Sequence, residues 1–306
     1  AKPVYVCWVS GRDVVPNMDI LQSAGIPCYE WPERTARVAG LTYGYQKYRQ
    51  QRQAFTISDE GEGVQIPANA YDAASKIFKD VRAQGRSSLL EHEAKRVISA
   101  YGIDVIREIF CATKEESLKA AKEIGFPVAL KIVSPQILHK TEAKGVRLNI
   151  ASEESLSQAY DEIMHAARTR FPQADIRGVL IQEMADGIEV IFGAVRDRQF
   201  GPMLMFGLGG IFVEVFKDVS YRICPLEFSD ARLMIQEIKG YSILQGARGK
   251  QGVNVPLIES TIMRLSKFLE DFPEIVEMDL NPTLVSKERA VVADARMILR
   301  PGKSEK

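Results

Sequence analysis

Lys131 stands inside an apolar run, Val128-Ala129-Leu130-Lys131-Ile132-Val133. An ammonium buried in such a strand is costly unless an anion meets it. Either it receives a ligand's negative charge, or its stem snorkels at a strand edge. A polar loop follows at once, Ser134-Pro135-Gln136-Ile137-Leu138-His139-Lys140-Thr141-Glu142, carrying one of the three histidines of the chain. A loop imidazole beside a buried lysine suits a phosphate acceptor, because its neutral nitrogen is nucleophilic near neutral pH. No second His or Cys is near enough in sequence for zinc, and a passive loop histidine is the other reading. His92 and His165 lie among charged neighbours at helical spacing, as expected of solvated surface.

Three further groups of residues could carry chemistry. Gly207, Gly209 and Gly210 fall within four residues of Phe206-Gly207-Leu208-Gly209-Gly210-Ile211-Phe212-Val213-Glu214. Their backbone N–H groups could cradle phosphate oxygens, and a tight hairpin turn explains them equally well. The segment matches neither a P-loop nor a dinucleotide fingerprint. Asp279-Leu280-Asn281-Pro282 closes one expected strand and Asp294 lies in the next. Antiparallel pairing through the polar turn Ser286-Lys287-Glu288-Arg289 would bring Asn281 and Asp294 together at one end of the sheet. Such oxygen donors suit Mg²⁺ shared with phosphates and water, although Asp-x-Asn-Pro is also a turn former. Finally, Gln182-Glu183-Met184 precedes Gly187-Ile188-Glu189. A strand edge that ends in polar residues and then crosses to a second lobe forms a slot for a purine and ribose. Rim salt bridges are the competing use of Glu183 and Glu189.

The elements that must position these groups show two styles. Residues 1–55 alternate an apolar strand (Val4–Val9), a helix (Asn17–Ala24, stopped by Gly25), a short strand (Pro27–Glu30) and a helix from Pro32 to Gln53, a parallel βαβα half-unit. Acidic, Gly-rich Ser58–Gln65 reads as a linker, and Tyr71–Gln84 as a helix, within a connecting region 56–88. One lobe is expected over 89–172. It has a helix from Leu89 to Gly102, strands 105–111, 127–133 and 145–150, a helix after Thr113 with Glu116 completing a capping box, and a helix Ser152–Arg170. A second lobe is expected over 173–306. It has strand 178–184, hairpin 187–197/199–206, strand 211–216, helices near 229–239 and 255–271, and a final pair 275–281/290–297. Forty basic residues cancel forty acidic ones, pI is about 7.1, and 46% of residues are hydrophobic. That disfavours disorder and a strongly basic nucleic-acid binder. Cys7, Cys28, Cys111 and Cys224 are scattered, as reduced thiols would be, and no stretch reads as a signal peptide or membrane span. A cytoplasmic location is expected.

Taken together, LLEHEAKRVISAYGIDV (89–105), FPVALKIVSPQILHKTEAKGVRLNI (126–150), GLGGIFVEVFKDVSYRICPL (207–226), GARG (246–249) and EMDLNPTLV (277–285) resemble the ATP-grasp part of ADP-forming acyl-CoA synthetases, relatives of succinyl-CoA synthetase. The resemblance covers about 70–300, while 1–55 (CWVSGRD, ILQSAGIPCYEWPERTARV) is similar to the end of the CoA-ligase domain of single-chain members. It implies a two-lobed ATP-grasp fold, α/β and α+β, after a partial flavodoxin-like module. It implies that acid, CoA and ATP interconvert with acyl-CoA, ADP and phosphate through an acyl phosphate and a phosphohistidine. Residue by residue, it implies that Lys131 contacts nucleotide phosphates, Glu183 and Glu189 the adenosine, Gly209, Gly210 and Glu214 the nucleotide, and Asn281 and Asp294 Mg²⁺, with His139 relaying phosphate. CoA would bind through partner domains, a separate subunit or the other piece of a cleaved chain, giving a hetero-oligomer that acts on a small carboxylic acid. The family's usual Gly-Gly after the HK loop is here Lys144-Gly145, and the family's CoA-binding domain and main phosphohistidine module are not in this sequence. A nucleotide-sensing ATP-grasp domain, as in a related protein acetyltransferase, is the alternative. The opening on Val4–Val9 without a Met has two explanations: removal of Met before Ala, or a start partway through a domain whose missing strands another polypeptide supplies.

Overall fold

A computed structural model describes residues 2–9, 15–58, 63–137, 140, 143–210, 216–246 and 251–301. His139 and Glu214 lie outside the described residues, as does most of the expected strand 211–216. The chain divides into two compact units, 1–61 and 62–306.

In the first unit β1 (Val6–Cys7) pairs in parallel with β2 (Cys28–Tyr29), Val6 opposite Cys28. Helix α1 (Val15–Ser23) ends at Gly25, whose φ of 75° suits a residue without a Cβ. Helix α2 (Pro32–Ser58) opens on a proline, which fits a first turn because that N–H has no helical partner. The strand expected over Val4–Val9 is only two residues long, and Val4, Trp8 and Val9 are exposed. One short neighbouring strand cannot bury both faces of an apolar run. Trp31, Leu41, Tyr43 and Tyr45 are exposed as well.

The second unit holds two antiparallel sheets. The first has the order β3-β6-β4-β5, from β3 (Glu108–Cys111), β4 (Val128–Val133), β5 (Val146–Ile150) and β6 (Gly178–Glu183). Helices α5 (Lys114–Ile124) and α6 (Glu153–Arg170) cover one of its faces. The α5 capping box forms as its sequence predicts: the Thr113 hydroxyl accepts from Glu116 N at 3.2 Å and Glu116 accepts from Thr113 N. All six residues of β4 are buried. Val128, Leu130 and Ile132 join Val179 and Ile181 under α5 and α6, so the period-2 alternation turns Lys131, Leu180 and Gln182 to the opposite face.

The second sheet runs β11-β10-β7-β8-β9, with β12 also on β10; residues 184–187 are the crossing between the sheets, so β6, expected in the second lobe, is instead an interior strand of the first sheet, paired with β3 and β4. Its strands are β7 (Ile188–Asp197), β8 (Gly201–Leu208), β9 (Val219–Ile223), β10 (Ile275–Val285), β11 (Ala290–Val292) and β12 (Ala295–Leu299). One cluster unites Phe192, Phe206, Met278 and Leu280 with α7 (Phe228–Glu237) and α9 (Val255–Asp271). A short helix α8 (Tyr241–Gln245) lies between these two.

Three details differ from expectation. The final strand pair is not one hairpin. Pro282 has no N–H to donate, the β10–β7 register shifts between Leu280 and Thr283, and β10 is flanked by β12 on its first half and β11 on its second. Strand β9 was not anticipated. Helices α3 (Ala70–Ala83), expected in the connecting region, and α4 (Glu91–Ala100), expected in the first lobe, bury Phe78, Ala94, Val97 and Ile98 in the cluster of the second sheet. Val105 likewise bridges Val292 before the chain enters β3 at Glu108.

Candidate functional site

Helix α4 lies with the second sheet, yet its first residue reaches the uncovered face of the first. Glu91 is buried there, and its carboxylate collects donors from four elements. Lys95 of α4 donates to Oε1 at 2.7 Å, Lys131 of β4 at 3.1 Å and the Gln182 amide of β6 at 2.7 Å, while Lys140, from the loop after β4, donates to Oε2. Lys131 also donates to the Ala293 carbonyl at 2.9 Å, and its Nζ lies 3.5 Å from Asp294 Oδ2. Lys140 Nζ lies 3.4 Å from Asp294 Oδ1. Two carboxylates and two ammoniums therefore alternate in a closed ring across the lobes.

The charges set one another. Burial works to raise the Glu91 carboxyl, but Lys131, Lys95 and Lys140 hold it well below the usual carboxylate range. Burial works to lower Lys140, and Glu91 and Asp294 push it above the ordinary lysine value instead. Three positive residues (Lys95, Lys131, Lys140) thus face three negative ones, with Glu108 accepting from Lys95 at 2.7 Å and from Gln182 at 2.6 Å. A cavity of about 50 Å³ beside the ring, lined by Glu91, Ser134, Lys140 and Asp294, has room for a water rather than a polyphosphate.

The backbones of Asn281 and Asp294 meet, though not at a sheet end as expected. They sit mid-sheet at the break between β11 and β12, where Asn281 N donates to Asp294 O at 3.2 Å. Asp279, two residues before Asn281, is pushed up to about 6, chiefly by burial and then by Asp294. A half-buried acid whose ionisation is disfavoured by burial and by a second acid is a place a cation would relieve. Among the described residues no group of three His, Cys, Asp or Glu side chains forms an ion cage. One or two carboxylates plus an amide oxygen, completed by phosphates and water, fit Mg²⁺. Asp279 and Asn281 also line an open groove of about 570 Å³ with Gly193, Met205 and Tyr221.

The remaining expected residues are dispersed around the crossing between sheets. Glu183 accepts from Arg107 N at 3.2 Å and pairs with Arg289 at 3.0 Å, the rim salt bridge that was its competing reading. Glu189 is exposed at the start of β7. Its carbonyl accepts from Gly209 N at 2.8 Å, and a Cβ at Gly209 would come 2.8 Å from Glu189 Cβ, so these strands approach too closely for any other residue. Gly210, at φ 58°, turns the chain there. Lys144 takes φ 55° where the resembled family has glycine, while Gly145 packs so closely on Ile132 that a Cβ would come within 2.5 Å of its Cγ2.

Sequence reasoning missed Glu91 and Lys95, and gave Gln182 and Asp279 no role of their own within the segments it singled out. Glu91 and Lys95 read as the polar stripe of an amphipathic helix. The available signal was the i,i+4 Glu–Lys spacing beside Leu89 and Leu90.

The sequence model of the ATP-grasp domain family matches residues 80–299. The chain is 51% identical over 231 residues to the Pyrococcus furiosus acetate–CoA ligase (ADP-forming) II subunit beta, covering 74% of this chain and 98% of that one. It is 38% identical over 299 residues to the Archaeoglobus fulgidus acetate–CoA ligase (ADP-forming) I, covering 97% of this chain and 42% of that one. It is also similar to the solved dinucleotide-forming acetyl-coenzyme A synthetase 1 of Ca. Korarchaeum cryptofilum in complex with coenzyme A and Ca-AMPCP. That match has 46% identity and a TM-score of 0.73 over 74% of this chain and all of that one. The same protein has been solved with Mg-AMPPCP, its phosphohistidine segment pointing towards the nucleotide binding site. The chain described here belongs to the ATP-grasp family of ADP-forming acyl-CoA synthetases.

Proposed function

We propose that this chain is the nucleotide-binding, phosphate-relaying portion of such a synthetase. The reaction interconverts a small carboxylic acid, CoA and ATP with acyl-CoA, ADP and phosphate. The observation that carries the reading is the meeting of the Lys131, Lys140 and Asp294 side chains at the junction of the two lobes, with Asn281 bonded to Asp294 through the backbone. Phosphoryl transfer needs positioning and charge neutralisation more than covalent help from the protein. Lys131 and Lys140 neutralise the nucleotide's phosphates, and Gly209, Gly210 and Glu214 are assigned to the nucleotide on the resemblance. Glu183 and Glu189, either side of the crossing between sheets, hold the adenosine. Asn281 and Asp294, with Asp279 beside them, hold Mg²⁺, which supplies charge neutralisation at the phosphates when bound. His139 is the phosphate acceptor: an imidazole nitrogen attacks the γ-phosphorus, the P–N bond forms, and the bond to ADP breaks.

CoA and the acid are proposed to bind on a partner portion, as a separate subunit or part of a longer chain. Two observations support this: the beta-subunit name of one relative, and the exposed Val4, Trp8, Val9 and Trp31 of the first unit. The relatives' ligase names and the full set of lysines and carboxylates favour turnover over a sensing-only domain. No described helix is long and apolar enough to cross a membrane; a cytoplasmic setting is part of the proposal. The test is incubation with Mg²⁺ and γ-phosphate-labelled ATP. Acid-labile label is expected on the wild-type chain, and His139→Ala should bind nucleotide normally but carry no label. Full acyl-CoA turnover by that variant would remove His139 from the mechanism.

A further inference from the structure

Glu91 is the deepest member of the charge ring. Its side chain is 2% exposed, against 30% for Asp294 opposite. It is held from behind as well, because Lys95 and the Gln182 amide each bridge it to Glu108. The ring is thus rigid on the Glu91 side. Its Asp294 side is more exposed and is joined at longer distances, 3.4–3.5 Å.

Such an arrangement is a poor device for stability alone. Desolvating ion pairs offsets most of their attraction, and apolar replacements of similar volume are often neutral or stabilising. The surrounding Leu90, Val133 and Leu180 show that this interface can be packed with apolar groups. One of the cations, Lys140, also comes from a loop, where burial is not required. Meanwhile α4 is rooted in the second sheet's core by Ala94, Val97 and Ile98. Its carboxylate therefore reaches across the lobe junction to grip lysines of the first sheet.

We infer that Glu91 is a positioning residue, which holds Lys131 and Lys140 as an aligned cationic pair for the nucleotide's phosphates. This rests on the reading that the site binds nucleotide. Glu91 is the fixed anion of the ring and Asp294 the exchangeable one. When phosphates take the place of Asp294 on the two lysines, Asp294 is free to serve as an Mg²⁺ ligand, while Glu91 keeps the ammoniums in register for transfer. Glu91 itself touches no substrate.

Glu91→Gln keeps the shape and removes the charge. In the enzyme assembled with its CoA-binding partner, kcat for acyl-CoA formation is expected to fall about tenfold or more, with the Kd for Mg-ADP by calorimetry within about threefold. In a Lys140→Met background the same substitution is expected to cost distinctly less, because the carboxylate acts through that lysine. A wild-type kcat in folded Glu91→Gln, or losses that simply multiply in the double variant, would overturn the inference. If Glu91→Gln does not fold, Gln182→Leu replaces it. That variant keeps every charge and deletes the amide that orients Glu91, so kcat should fall in the same way, and an unchanged kcat overturns the inference. A wild-type chain that binds no Mg-ADP would instead overturn the nucleotide-site reading.

Discussion

Replacing Lys131 by Met keeps most of the stem's volume and removes one buried charge. Lys131 Nζ donates to Glu91 Oε1 at 3.1 Å and Ala293 O at 2.9 Å and lies 3.5 Å from Asp294 Oδ2, with the side chain 8% exposed. Orphaning a buried charge costs about 3–5 kcal/mol. Here Glu91 keeps Lys95, Lys140 and Gln182, so a smaller loss of roughly 1–3 kcal/mol is expected. For a unit of this size that lowers the melting temperature by about 2–4 °C per kcal/mol. The effect on binding is larger. Deleting a desolvated, charge-assisted contact to phosphate costs about 2–4 kcal/mol, or roughly 30- to 700-fold in Kd. Calorimetry with Mg-ADP at constant ionic strength measures it. Lys122→Met controls for the loss of a unit charge, since its partnership with Glu153 is exposed. A folded Lys131→Met chain whose Kd stays within about threefold of wild type would refute the phosphate role of Lys131.

Asp294→Asn should raise the Mg²⁺ concentration needed for half-maximal nucleotide binding by about tenfold or more, and an unchanged Mg²⁺ titration would remove Asp294 from the metal site. Gly209→Ala should destabilise the fold by about 1–3 kcal/mol, because the added Cβ meets Glu189 Cβ at 2.8 Å. A wild-type melting temperature for that variant would mean the β7 start can withdraw from the glycine turn.

Local signals were legible where the physics is local. The capping residues Thr113 and Ser152 start α5 and α6 where the sequence predicts, because a cap is completed within four residues. The apolar run around Lys131 marked β4 as buried, and the polar end of β6 marked the crossing to the second sheet. The amphipathic pattern of α4 likewise predicted a helix. It did not say which core the helix would join, since either lobe offers an apolar face.

The ring itself depended on the tertiary structure. Glu91 and Lys131 are 40 residues apart, and Lys131 and Asp294 are 163 apart. No periodicity encodes such a meeting. Glu91 reads as a solvated helix position until α4 docks with the second sheet and turns its first residue into the face of the first. Asn281 and Asp294 were visible as oxygen donors, but Pro282 moved their meeting from a sheet end to the middle of β10. Residue types declare which charges are available. Which charges share a buried space, and so hold one another ionised, is decided only when packing removes the water that would otherwise separate them.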